Sequence, residues 1–288
     1  MTDRPVGALV LVGTPIGNLG DLSPRAIEAL RTADVIAAED TRRTRALLSH
    51  AGIRAGRRLR AVHARNEAAA AVRIVDEIRA GDRVAVVTDA GMPGISDPGA
   101  ELVRACLDSG LPVEAVPGPS AAITALVLSG LPGDRFVFEG FLPRKGRARA
   151  ERIAVLADEP RTTVLFEAPN RVRATLADLA AACGPHRPVA VTRELTKAFE
   201  EVWRGTLGAA VQHVEGSEPR GEHVVVVGPA PERAPAGDAE VEAAVRAALA
   251  DGRSARDAAS DVANALGVAR RRAYDAATRL KPSRTQGG

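Results

Sequence analysis

Five short apolar runs, Ala8–Gly13, Asp34–Ala38, Leu59–Val62, Arg83–Thr88 and Val113–Pro117, punctuate the first 118 residues at regular intervals. Helix-like patterns fill the gaps between them. Near-continuous Val, Ala and Leu in each run predicts strands buried on both faces, and the alternation predicts a parallel sheet covered by helices. The helix signals agree. Ser23-Pro24 reads as an N-cap followed by proline at the first helical position, with Ile27 and Leu30 as the buried stripe. Asn66–Arg79 carries Val72, Val75 and Ile78 and stops at Gly81, a C-terminal glycine signal. Ligands of such sheets sit beyond the carboxyl ends of the strands. That edge receives the chain's two most unusual stretches.

TDAGMPGISDPGAE (88–101) follows the fourth run and holds three glycines, two prolines and two aspartates. Connections in α/β units usually take about two to six residues, so a stretch this long serves a ligand more often than it serves a turn. VGTPIGNLGD (12–21) follows the first run, with glycines spaced G-x3-G-x2-G. That spacing is not the dinucleotide fingerprint, and no Gly-Lys-Ser/Thr follows, so a phosphate-cradling loop is not predicted. Glu39-Asp40 at the end of the second strand is the one feature a dinucleotide site would share. The five histidines share no ligand spacing, and CxxC, HxxxH and Gly-x-Ser-x-Gly are absent, which sets aside metalloenzyme and serine-hydrolase chemistry. Cys106 lies on a stripe with Leu102, Val103 and Leu107 and is expected to be buried filler.

A second unit is expected from about residue 119 to 230. Its strands are predicted at Phe136–Gly140, Thr162–Glu167, Pro188–Arg193, Glu201–Arg204 and His223–Gly228, with helices near 121–129, 147–157 and 171–183. The last two strands are separated by one short segment, so this sheet is expected to be mixed. PERAPAGD (231–238) reads as a linker, and residues 239–288 as an all-helical module of three short helices broken at Asp251-Gly252 and Gly267. No run approaches the roughly 20 apolar residues of a membrane span. Neither a membrane anchor nor a signal peptide is expected, and a reducing cytoplasm fits two unpaired cysteines.

Net charge is only +3, yet the cations cluster. Positions 41–60 hold seven arginines and no acid, and RKGRARAER (144–152) holds five cations against Glu151. Arg270, Arg271, Arg272, Arg279, Lys281 and Arg284 add a basic end. Patches of one sign favour a polyanion such as nucleic acid. With aromatics at 2%, shape and backbone contacts are expected to outweigh base stacking.

Three segments together, VGTPIGNLGDLS, TDAGMPGISDPG and VPGPSAA, resemble the tetrapyrrole methylase superfamily of S-adenosylmethionine-dependent methyltransferases. AEDTRRTRALL (38–48), HARNE (63–67), FEAPNR (166–171), RELTKAFEEVWRG (193–205) and GEHVVVV (221–227) extend the likeness to the ribosomal RNA small subunit methyltransferase I family, over essentially residues 7–280. The resemblance implies a two-domain α/β fold of the class III methyltransferase type, usually a homodimer, with S-adenosyl-L-methionine in the cleft between the domains. It also implies methylation of the ribose 2′-hydroxyl of a decoding-centre cytidine in 16S rRNA. Carried onto this chain, the cofactor residues would be Thr14, Pro15, Ile16, Asp89, Ala90, Gly91, Met92 and Ile95, with Ser120, Ala121, Glu167 and Ala168. The family commonly has Thr and Leu where Met92 and Gly94 stand, and His where Asn170 stands. A side-chain hydroxyl contact and an imidazole role are therefore not expected at those positions.

A ribose hydroxyl is a very weak acid, so a nearby base or cation should help remove its proton. The candidates are Asp40, Glu67, Glu194 and Lys197. Phosphate contacts are expected from Arg42, Arg43 and Arg45 and from Arg144, Lys145, Arg147 and Arg149. The 252–280 segment resembles a helix-turn-helix and is expected to dock RNA. No metal is required. Two alternatives share parts of this pattern: a small-molecule tetrapyrrole methyltransferase and a non-catalytic RNA-binding protein.

Overall fold

A computed structural model describes residues 7–216, 220–231 and 236–280. Residues 232–235 of the expected linker, together with Lys281 and Arg284, lie outside the described residues. The chain divides into two compact units, Met1–Ala230 and Pro231–Gly288.

Among the described residues the first unit contains two five-stranded sheets. In the first sheet, β1 (Ala8–Val12), β2 (Val35–Ala38), β3 (Leu59–Ala61), β4 (Arg83–Val87) and β5 (Val113–Val116) run in the order β3-β2-β4-β1-β5, every pairing parallel. Alternation sorts the strand residues by face. Val10, Val12, Ile36, Ala38, Ala85 and Val87 pack against Leu30 of α1 (Pro24–Thr32) and Leu47 and Leu48 of α2 (Thr41–His50). Leu9, Val35, Ala37, Val84 and Val86 pack against Ile74 and Ile78 of α3 (Glu67–Arg79) and Leu102 and Cys106 of α4 (Ala100–Asp108). The helices that follow β1 and β4 thus cover opposite faces, although the two strands are neighbours. The loops that leave them start side by side at the carboxyl edge of the sheet, the edge such topologies offer to ligands.

In the second sheet the order is β6-β7-β10-β8-β9: β6 (Phe136–Phe141), β7 (Thr162–Glu167), β8 (Pro188–Arg193), β9 (Glu201–Thr206) and β10 (His223–Val227). It is mixed, since only β6 and β7 run parallel. Helix α5 (Ala121–Ser129) packs on one face through Ala122, Ala125 and Leu126 against Val164, Ala190, Val224 and Val226. The other face takes Ile153 and Leu156 of α6 (Arg147–Ala157), Leu176 and Leu179 of α7 (Pro169–Cys183) and Leu207 of α8 (Leu207–Glu215). Helix α8 is the element the sequence reading lacks; it occupies the segment between β9 and β10, and Thr206 caps it by accepting from Ala209 N.

Among its described residues the second unit holds three helices, α9 (Asp238–Ala250), α10 (Ala255–Leu266) and α11 (Arg270–Leu280). Val241, Val245, Val262, Ala273 and Ala277 form its core. Ser254 caps α10 by accepting from Asp257 N, and left-handed Gly267 ends it. Arg272 and Arg279 on α11 reach Asp238 and Glu242 on α9, so part of the basic end is spent on internal ion pairs. Among the described residues no helix is long and apolar enough to cross a membrane.

Candidate active site

Two neighbouring cavities open at the strand ends of the first unit. The first, about 420 Å³, is lined by Ile16 from the loop after β1, Ala90–Met92 and Ile95–Asp97 from the loop after β4, and Ser120 and Ala121 at the start of α5. The second sheet supplies the opposite wall: Phe141, Phe166–Pro169, Leu195 and Glu222–Val224. The second cavity, about 280 Å³, lies around Thr14–Gly17, Arg43, Thr44, Thr88–Ala90, Lys197 and Glu222.

The loops that form these walls are held rigidly. Thr14 and Gly91 exchange backbone hydrogen bonds of 2.9 and 3.1 Å, and the Thr14 hydroxyl donates to Thr88 O at 3.2 Å. Thr14 is 1% exposed, so its side chain ties the two loops together. Ser120 caps α5 by accepting from Ile123 N, leaving the first amides of that helix near the cavity for a carboxylate or ribose oxygen. The opposite wall depends on sheet register. His223 lies opposite Glu167 on one side and Arg193 on the other, so residues far apart in sequence share one edge. The buried Glu167 carboxylate accepts from Thr175 Oγ1 and Ala168 N and meets Arg171 Nε at 3.2 Å. Burial pushes His223 below the usual histidine range, which leaves it neutral at pH 7.

Of the twelve cofactor residues expected from sequence, Ile16, Ala90, Gly91, Met92, Ile95, Ser120, Ala121, Glu167 and Ala168 line the larger cavity. Thr14, Pro15 and Asp89 line the smaller one instead. Sequence reasoning missed Phe141, Phe166, Asp97, Leu195, Glu222 and His223. Asp97 stands out among them. Burial, with Glu39, Asp89 and Glu222 nearby, raises its pKa to about 7.

The smaller cavity carries the cationic groups, Arg43 and Lys197. Lys197 Nζ reaches Glu194 Oε1 at 2.8 Å and Glu222 Oε2 at 2.9 Å. Burial opposes the ammonium, but those hydrogen bonds outweigh it and hold the Lys197 pKa above the usual lysine range. The hydrogen bond from Lys197 likewise holds Glu194 below the usual carboxylate range. Lys197 is therefore a cation here and not a base. Arg43 meets Asp89 at 3.4 Å across the same cavity.

Two expectations need correction. Glu67 is not available for proton transfer: it is 6% exposed, and its Oε1 accepts from Gly99 N, Glu101 N and Leu102 N at 2.8, 3.0 and 3.3 Å. It caps α4 from a distance, because Gly99 has no side chain to do so. We expect Glu67→Ala to cost about 2 kcal/mol by stranding those donors, read as a lower urea midpoint, with Glu67→Gln recovering part of it. An unchanged midpoint would return Glu67 to the catalytic candidates. Arg149 is not a free cation either. Its side chain is 11% exposed and bonds Asp178, Thr175 Oγ1 and Pro143 O, locking α6 to α7. Asp40 lines neither cavity and caps α2 by accepting from Arg42 N and Arg43 N. Arg42, Arg45, Arg144 and Lys145 are exposed, and Arg147 is exposed beside Glu151.

The comparisons fit this geometry. The family profile for Tetrapyrrole (Corrin/Porphyrin) Methylases matches residues 8–211. The chain is 44% identical to "Ribosomal RNA small subunit methyltransferase I" of Synechocystis sp., over 96% of this chain and 99% of that one. It is 48% identical to the protein of the same name from Mycobacterium bovis, over 98% of each. Among solved structures, uroporphyrin-III-C-methyltransferase from Thermus thermophilus matches with a TM-score of 0.55 at 25% identity, covering 77% of this chain and 94% of that one. The methyltransferase CobJ matches in fold with a TM-score of 0.58 at 21% identity, over 80% and 97%. The chain belongs to the tetrapyrrole methylase family and, within it, to the ribosomal RNA small subunit methyltransferase I family of S-adenosylmethionine-dependent enzymes.

Proposed function

We propose that this protein transfers a methyl group from S-adenosyl-L-methionine to the 2′-hydroxyl of a decoding-centre cytidine in 16S rRNA of the small ribosomal subunit. The observation that carries the reading is the pair of adjoining cavities. One is mostly apolar and walled by Ile16, Met92, Phe141 and Phe166; the other is charged and lies beside the α2 arginines. The first suits the cofactor. Its hydrophobic walls accept an adenine, the Ser120 end of α5 suits a carboxylate or ribose oxygen, and the half-buried Asp97 carboxylate suits a cation. When bound, the cofactor supplies an electrophilic methyl on a sulfonium. The protein's residues position the acceptor, and positioning can supply much of the barrier reduction.

The RNA side rests on Arg42, Arg43 and Arg45 on α2 and on Arg144, Lys145 and Arg147 at the start of α6. Whole-length likeness to rRNA methyltransferases favours this acceptor over a tetrapyrrole. The same reading makes the protein a cytoplasmic homodimer, with the sheets as separate domains meeting near residues 118–119 and residues 239–288 as a helix-turn-helix-like RNA-docking module. Ile123 and Val127, one turn apart on α5, are 46% and 74% exposed and offer an apolar flank for a second copy.

Incubation with labelled cofactor and undermethylated small subunits tests the reading. One label per particle is expected, resistant to alkaline cleavage at a single decoding-region cytidine. Label on a base, or none, would overturn it.

A further inference from the structure

Among the described residues only three line both cavities: Ile16, Ala90 and Glu222. If the donor occupies the larger space and the nucleotide the smaller, the reacting oxygen and carbon must meet at the wall between them. Ile16 and Ala90 have no side-chain group that accepts a proton. Glu222 does.

We propose that Glu222 is the general base of the methyl transfer, a residue absent from the sequence-derived candidates; this rests on the 2′-O-methylation reading above. The surrounding structure aims it. Glu194 N donates to Glu222 O at 3.0 Å, and Glu222 N donates to Glu194 Oε1 at 2.9 Å, so the backbones of the two segments are clasped. Gly221 permits the clasp. It has φ +77°, and a Cβ there would stand 2.5 Å from Glu194 Cγ and Oε1. Lys197 then bridges the two carboxylates, fixing Glu222 Oε2 at one point. The Glu222 side chain remains 68% exposed, as a group that must meet an incoming macromolecule requires.

The step balances without a further reactant. The ribose O–H bond breaks and its proton passes to the Glu222 carboxylate. The oxygen's electron pair forms the new O–CH3 bond, while the C–S pair stays on sulfur and leaves a neutral thioether. Lys197, kept charged by its two carboxylates, is a positioning residue: it orients Glu222 and supplies positive charge near the oxygen as negative charge develops there.

The test compares wild type with Glu222→Gln and Glu222→Asp in single-turnover transfer to undermethylated small subunits. Calorimetric binding of the cofactor and filter binding of the subunit are measured on the same preparations. Glu222→Gln should lower the transfer rate about 100-fold or more, with both dissociation constants within threefold of wild type. Glu222→Asp, which keeps a carboxylate, should fall in between. A Glu222→Gln rate within threefold of wild type overturns the proposal, and so does a rate loss matched by an equal loss of binding. A wild-type protein that leaves the ribose unlabelled under these conditions overturns the 2′-O-methylation reading itself, a result distinguishable from failure of Glu222 alone.

Discussion

Gly118→Ala is expected to abolish cofactor binding and to lower the melting temperature by several degrees. A Cβ on Gly118 would lie 2.8 Å from both Gly13 C and Gly13 Cα, and one on Gly13 would lie 2.6 Å from Gly118 N. All of these are backbone atoms, so no rotamer change relieves the overlap. β1 and β5 are paired along Leu9–Val12, so the clash must be taken up beyond the strand ends. The loops that leave those ends carry Ile16 on one side and Ser120 on the other, and both line the larger cavity. Overpacking at a site this tight costs about 1–3 kcal/mol, and an ångström of displacement at a positioning loop is enough to disrupt ligand geometry. Calorimetric titration with S-adenosylmethionine, paired with a thermal melt, checks this. Gly216→Ala is the control, because nothing stands within 4 Å of a Cβ there. Binding by Gly118→Ala within threefold of wild type would mean that the two loops can separate without cost.

The strands of both sheets were legible because each is a compact apolar run bounded by turn residues. Thr162–Glu167 and Pro188–Arg193 match their predicted bounds, and the others differ by one or two residues at the ends. Helix α8 was not legible: LGAAVQHVE is short and opens directly from β9 at Thr206, without a break in the chain to announce it. The glycine-rich half of the site could be read because loop composition marks it. The other half could not. Phe166, Leu195, Glu222 and His223 are ordinary residues of a strand or strand end in sequence, and they become a wall only through the pairing of β10 with β7 and β8. Charge misled for a related reason. Glu67 and Arg149 look like their neighbours on paper, and only the fold shows one carboxylate turned onto three amides and one guanidinium closed between two helices.

Asp97 is expected to set the pH dependence of cofactor affinity. Burial is the first cause of its raised pKa, and the carboxylates of Glu39, Asp89 and Glu222 add to it; Arg43 is turned to Asp89, and burial holds His223 below the usual histidine range. In the free protein Asp97 is therefore protonated below about pH 7. S-adenosylmethionine carries a net positive charge, which favours the ionised carboxylate, so binding below pH 7 must expel a proton. Affinity should rise with pH, by up to about tenfold per unit below 7, and level off above it. Stability runs the other way. The folded state holds this proton up to about pH 7 whereas the unfolded chain releases it near pH 4, so the ligand-free protein loses stability as pH rises between those values. Asp97→Asn removes both trends. Its cofactor affinity should be nearly flat from pH 5.5 to 8.5, matching wild type at the acid end and falling well below it at the alkaline end. Its melting temperature should gain most over wild type above pH 7. Calorimetry and melting across that range read both effects, and equal affinity slopes for the two proteins would place the bound cation away from Asp97.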